Sequence, residues 1–328
     1  MPDATSANAR PTPDLERFGG IRWVRRTKGA LTAKEKRRLM GVIVAKQGGY
    51  IIGRIKLATG RVPAGAAVLD DPELLAPPDS AWARAAEDAC RELQTETIGH
   101  SYRTWAFGRA LAALDGADVD VELLYTAALV HDFGLEHAVS GEDFTIRSAD
   151  RVIACAREAR VDDVRSELAA DAIAIHAHPS VDPELDLTGA WIHAGALCDL
   201  GGFRLCDLPK PWVQKVIEEH PRDGVIKVVV AMIGAESKAA PRPLRVVAAV
   251  RVLADVGDRA QVRDGRSLVV RRQRSKGRGS ALPSALRFTA LFRVWSVPGS
   301  NRRPPACKAG ALPAELTPRD GQVYPGSD

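Results

Sequence analysis

The sequence predicts an all-α helical bundle with a short, partly helical N-terminal extension and a poorly structured C-terminal tail. Three observations carry that expectation. Between about residues 79 and 235 apolar residues recur at three- and four-residue steps, helix-start and helix-stop residues bracket those runs, and strand patterns are nearly absent. The expected units are a basic extension over 1–78, a helical domain over 79–240 and an Arg/Pro-rich tail over 241–328.

Taken in order, residues 1–30 read as a polar lead and 31–60 as one or two short helices broken at Gly48, Gly49 and Gly53. The turn-rich "DDPELLAPPDS" closes this section, and Asp79 or Ser80 is suited to cap the next helix, "AWARAAEDACRELQTETIG". A separate helix is expected to open at His100, where Tyr102, Trp105, Ala106, Ala110 and Leu114 form one apolar stripe; Trp105, Phe107 and Trp191 read as core. Asp120 caps "VELLYTAALVHD", a run apolar on most sides that stops at Gly134. Further helices follow in "EDFTIRSADRVIACAREA", "DDVRSELAADAIAIHAH" before Pro179, "TGAWIHAGALCDLGGF" and "KPWVQKVIEEH".

Composition narrows the function. The 328 residues are 45% hydrophobic and 27% charged, as a soluble globular protein requires. The net charge of +5 draws much of its Arg excess from the C-terminal segment, so no specific nucleic-acid binding is expected. Five scattered cysteines with no CxxC pair read as reduced thiols, and the polar start lacks a signal peptide's apolar core; a cytoplasmic location is the expectation. The apolar run over 39–53 is interrupted by Lys46 and Gln47 and falls short of the roughly 20 residues that span a bilayer, so no transmembrane segment is expected. The end of the chain, "VPGSNRRPPACKAGALPAELTP", resembles the translated opposite strand of a bacterial transfer-RNA gene, which would make part of the tail a translation artefact; an ordinary disordered tail is the alternative.

The chemistry-bearing motif is "TAALVHDFGLEH", where His131 and Asp132 stand together at a helix end. Successive helix residues point about 100° apart, so the two grip one ion only near that end, where the helix dipole also favours a cation. His100 upstream and Asp199, in "ALCDLGG", complete a set of two imidazoles and two carboxylates. Such a set suits one divalent ion, Zn(II) first, with Fe(II) or Mn(II) as alternatives, and leaves room for a water acidified to a hydroxide nucleophile.

His100, then His131 with Asp132, then Asp199 resembles the H…HD…D signature of the HD-domain superfamily of metal-dependent hydrolases, over roughly residues 79–235. Within it, "IGHSYRTWAFGRAL" and "LYTAALVHDFGLEH" look closest to the cyanamide hydratase-like branch. The resemblance implies that those four residues hold the metal. It also implies water addition to, or hydrolysis of, a small carbon–nitrogen compound. Leu135 and Glu136 stand where many phosphohydrolase members carry a lysine, which disfavours a phosphate substrate. Thr145 after Phe144 replaces the acidic residue usual in hydratases, which sets cyanamide itself in question.

Around this set, His176 is the candidate acid–base group or, with His178, a ligand to a second metal. Arg103, about one turn after His100, is the candidate to hold Asp132, Asp199 or an anionic substrate. Asp143, Glu142 and Arg147 flank the motif, and His193 and His220 read as structural. Three functions follow: a metal-dependent hydratase or hydrolase of a small molecule, a binuclear phosphohydrolase, and a degenerate ligand-sensing module. The pattern is compatible with a homo-oligomer.

Overall fold

Ser80, Asp120, Asp143 and Asp162 each accept a hydrogen bond from a backbone N–H two or three residues on, and so start four of the helices that build the molecule. The computed structural model describes residues 14–39, 41, 65–179 and 181–239. The element order is α1 (Ile21–Thr27), α2 (Ala81–Arg91), α3 (Thr95–Leu114), α4 (Val121–Val130), α5 (Phe144–Glu158), α6 (Asp163–His176), α7 (Leu187–Gly201), α8 (Lys210–Glu219) and α9 (Val225–Ala239). Short 3-10 turns stand at Ala66–Asp70, Phe133–Leu135 and Leu205–Asp207, and there is no strand among the described residues. The expected breaks at Gly48, Gly49 and Gly53 and the tail over 241–328 lie outside the described residues.

One boundary differs from expectation in a way that matters. The run expected to continue from Ala81 to Gly99 stops at Arg91, and the chain re-enters a helix at Thr95. Gln94 takes an extended conformation, and its backbone N–H donates to Glu136 Oε1 at 3.0 Å. His100 therefore sits inside α3, in its second turn, rather than at its start.

α3 packs lengthwise on α7 and also meets α4; α5 lies against α6, α6 against α7, and α2 against α4. Two glycines set the α3–α7 approach. A Cβ at Gly195 would stand 2.1 Å from the Thr104 carbonyl oxygen, and one at Gly108 would stand 2.5 Å from that of Trp191. The pairs Trp191–Gly108, Gly195–Thr104 and Asp199–His100 step in opposite directions by four residues each, about 6 Å, so the same crossing carries Asp199 to His100. Trp105, Phe107 and Trp191 are core residues, as expected.

Residues of α1 are part of the same core. Ile21, Trp23 and Val24 of α1 are buried in the cluster that contains Trp82, Leu124 and Ile173. Burying side chains of this size stabilises by about 1.5–3 kcal/mol each. The anchor is electrostatic: Arg17 reaches the buried carboxylates of Asp171, at 2.7 Å, and Asp186, while Asp171 also accepts from the Ile21 N–H at 2.8 Å.

Candidate metal centre

α4 ends at Val130, so His131 is its capping residue and Asp132 opens the 3-10 turn that follows. His131 donates its Nδ1–H to the Ala128 carbonyl at 2.7 Å. A carbonyl only accepts, so the neutral ring carries its proton on Nδ1 and keeps a lone pair on Nε2. His176, the last residue of α6, is fixed in the same way by the Ile173 carbonyl. His100 has its Nδ1 2.7 Å from Asp199 Oδ2, a carboxylate acceptor, which again leaves Nε2 as the free nitrogen.

All three Nε2 atoms converge on one carboxylate. From Asp132 Oδ2 the distances are 3.6 Å to His100 and 3.3 Å to His131; from Oδ1, His176 is 3.8 Å away. The His100 and His131 Nε2 atoms are buried and make no hydrogen bond. Ligand atoms of His100, His131 and Asp132 all lie within 4.8 Å of one another, and all three residues are buried. Lone pairs facing an anion, with no donor between them, form an arrangement that is stable only around a cation. These residues fit a divalent ion, with the imidazole and carboxylate donors that first-row metals take.

The electrostatics agree. Burial pushes the Asp132 carboxyl up, but His131, His100 and His176 together pull it well below the usual carboxylate range. Burial likewise lowers His131, yet the adjacent Asp132 charge outweighs it and raises this imidazole above its ordinary 6.5. A proton shared between His131 and Asp132 is thus the smallest cation that suits the site. Burial and the neighbouring His131 push His176 down to about 3, so it is neutral at physiological pH. His100 is lowered by burial despite Asp199.

Asp199 is not brought to the point where the three Nε2 atoms meet. It stands behind His100, and its Oδ1 accepts from Arg103 Nε and Arg222 Nε, both at 2.8 Å. Arg103 is fully buried, and its remaining bonds run to Asp199 Oδ2 at 3.0 Å and to the carbonyls of His220 and Pro221 at 2.9 and 2.7 Å. Of the roles expected for Arg103, holding Asp132, Asp199 or an anionic substrate, the structure shows the second, and the same guanidinium also holds the chain at 220–221. Gly99 makes this possible, because a Cβ there would stand 2.8 Å from Arg103 Nη1.

The flanking residues have structural duties. Asp143 caps α5, and Arg147 donates to the Gly134 carbonyl and to Glu236, whose other oxygen accepts from the Phe144 N–H at 2.8 Å. His220 stacks on Tyr102, His178 meets Phe18 edge-on, and His193 Nδ1 lies 2.7 Å from the His176 carbonyl oxygen. Arg222 and Glu236 did not emerge from sequence. One lies in a short interhelical loop and the other in a Val/Ile-rich run, and neither carries a spacing signal.

Residues 97–194 match the family model described as HD domain. No curated protein matches the sequence. HD domains are in general those of metal-dependent hydrolases, although some members are not enzymes.

Proposed function

For a chain whose residues 97–194 form an HD domain, we propose a metal-dependent hydratase or hydrolase acting on a small, uncharged or weakly charged carbon–nitrogen compound, in the manner of the cyanamide hydratase-like branch. The observation that carries this reading is the convergence of three imidazole Nε2 atoms on Asp132, each with its Nδ1 engaged by an acceptor. His100, His131 and Asp132 hold the ion, with Zn(II) as the first candidate. The ion supplies Lewis acidity, which brings the ionisation of water toward neutral pH.

His176 is the acid–base group of this proposal. Its Nδ1 is held by the Ile173 carbonyl and its Nε2 faces Asp132, so Nε2 is the nitrogen placed to take a proton from water during attack and return it to the substrate nitrogen. The arginines near the motif favour an uncharged substrate over a phosphoester. Arg103, Arg147 and Arg222 are each engaged by carboxylates and carbonyls, an arrangement that secures the fold rather than a phosphate.

The test is elemental analysis of the purified protein followed by turnover assays on nitriles, cyanamides, small amides and phosphoesters. Stoichiometric zinc or iron with release of an amide or ammonia supports the proposal. Turnover confined to phosphoesters, or full activity after chelation, refutes it.

A further inference from the structure

We infer that Asp199 serves in this chain as the outer support of His100 rather than as a metal ligand, and that Arg222 is the positioning residue that holds it there. The inference rests on the metal-binding reading above and departs from the ligand set that the H…HD…D pattern implies.

The geometry of the ring is the first argument. The two nitrogens of an imidazole point away from one another, so a carboxylate on Nδ1 does not share an ion with Nε2. Asp199 Oδ2 is 2.7 Å from Nδ1, whereas Nε2 faces Asp132. A carboxylate in that place fixes the tautomer and orientation of the ring and raises its strength as a donor, and such partners typically contribute about 10–100-fold to metal affinity.

The second argument is the clasp. Asp199 Oδ1 accepts from two guanidinium groups at once, Arg103 and Arg222, and Arg222 Nη2 also reaches the Asp199 backbone carbonyl. Moving Asp199 to the ion would break these bonds and leave a fully buried Arg103 without its anion, a costly exchange. Arg222 is held in turn, because Arg103 Nη1 donates to the carbonyls of His220 and Pro221, the two residues before it. The loop between α8 and α9, beyond the residues that match the family model, is thereby tied to the back of the metal centre.

The experiment loads the full-length chain with Co(II) and with Zn(II), and compares wild type with Arg222→Gln, Arg222→Lys, Asp199→Asn and Asp132→Asn. Affinity is read by chelator competition, coordination by the visible bands of Co(II), and fold by circular dichroism. Arg222→Gln is expected to weaken binding by about 10-fold and to shift the Co(II) bands, the behaviour of an outer-shell change. Arg222→Lys, which keeps a cation beside Oδ1, should restore most of both. Asp199→Asn should retain stoichiometric metal where Asp132→Asn does not. Tighter binding in Arg222→Gln would show that the arginines restrain a true ligand, and it overturns the inference, as does unchanged binding. Loss of metal by a folded Asp199→Asn protein overturns it too. Should Asp199→Asn fail to fold, the Arg222 pair decides alone. A wild-type chain that takes up neither ion refutes the underlying metal-binding reading, an outcome distinct from all of these.

Discussion

Gly195 of α7 lies so close to Thr104 of α3 that a Cβ would stand 2.1 Å from its carbonyl oxygen. No flexible side chain is available there to yield, since the obstacle is helix backbone. Because Asp199 and His100 lie one turn further along the same crossing, the approach sets their 2.7 Å contact as well as the stability of the pair. Gly195→Ala is therefore expected to cost about 1–3 kcal/mol, the usual range for overpacking. It should also weaken metal binding, which denaturant unfolding and chelator competition would measure together. A variant as stable as wild type would show that the helices separate freely.

Asp132→Ala and His131→Ala are expected to abolish stoichiometric metal and turnover while keeping most of the helicity. Both residues lie at the junction of α4 and a 3-10 turn, outside the helix body. Their loss removes a donor directly, so the defect should exceed the roughly 10–100-fold contributed by outer-shell partners. Full metal content in either purified variant would remove that residue from the ligand set.

Metal binding should strengthen as pH rises. Burial opposes protonation of His131, but Asp132 raises its pKa above 6.5 in the metal-free protein, so the ion must displace a proton held between them. Affinity falls below that raised pKa, where the proton is present, and levels off above it. Calorimetric titrations in buffers of different ionisation enthalpy would show the released proton, in an amount that grows as pH falls. Binding with no proton release would contradict the arrangement.

Asp199 makes the stability of the fold depend on pH in the same direction. Burial raises its carboxyl, but Arg222, His100 and Arg103 outweigh this and hold it well below its ordinary 3.8. A carboxylate with a depressed folded pKa contributes stability that is present above the unfolded value and is lost as pH falls through the folded one. Acid unfolding of wild type should therefore steepen below about pH 4. The Asp199→Asn variant, already destabilised at neutral pH, should show a flatter acid limb in denaturant titrations.

Arg17→Ala should destabilise the chain by about 3–5 kcal/mol, the range for breaking a buried ion pair, because it leaves Asp171 and Asp186 buried without their guanidinium. Thermal unfolding would measure this, and Arg17→Lys should recover part of the loss. An Arg17→Ala protein of unchanged stability would mean that the segment around α1 is an accessory and not a component of the core.

The sequence by itself determined the helical character of residues 81–239, because periodic apolar residues and capping groups act locally. Ser80, Asp120, Asp143, Asp162 and Gly202 end or begin their helices through bonds to neighbours a few residues away. It also singled out His100, His131, Asp132 and Asp199 as candidate donors, since an ordered set of donor residues is visible in one dimension. Where Asp199 and Arg103 stand was decided only in three dimensions. Which nitrogen of His100 faces the centre depends on a carboxylate 99 positions away, and whether Arg103 meets substrate depends on carbonyls more than 100 positions away. Those partners are delivered by the α3–α7 crossing and by the loop before α9, and long-range packing of that kind leaves no periodic mark on the chain.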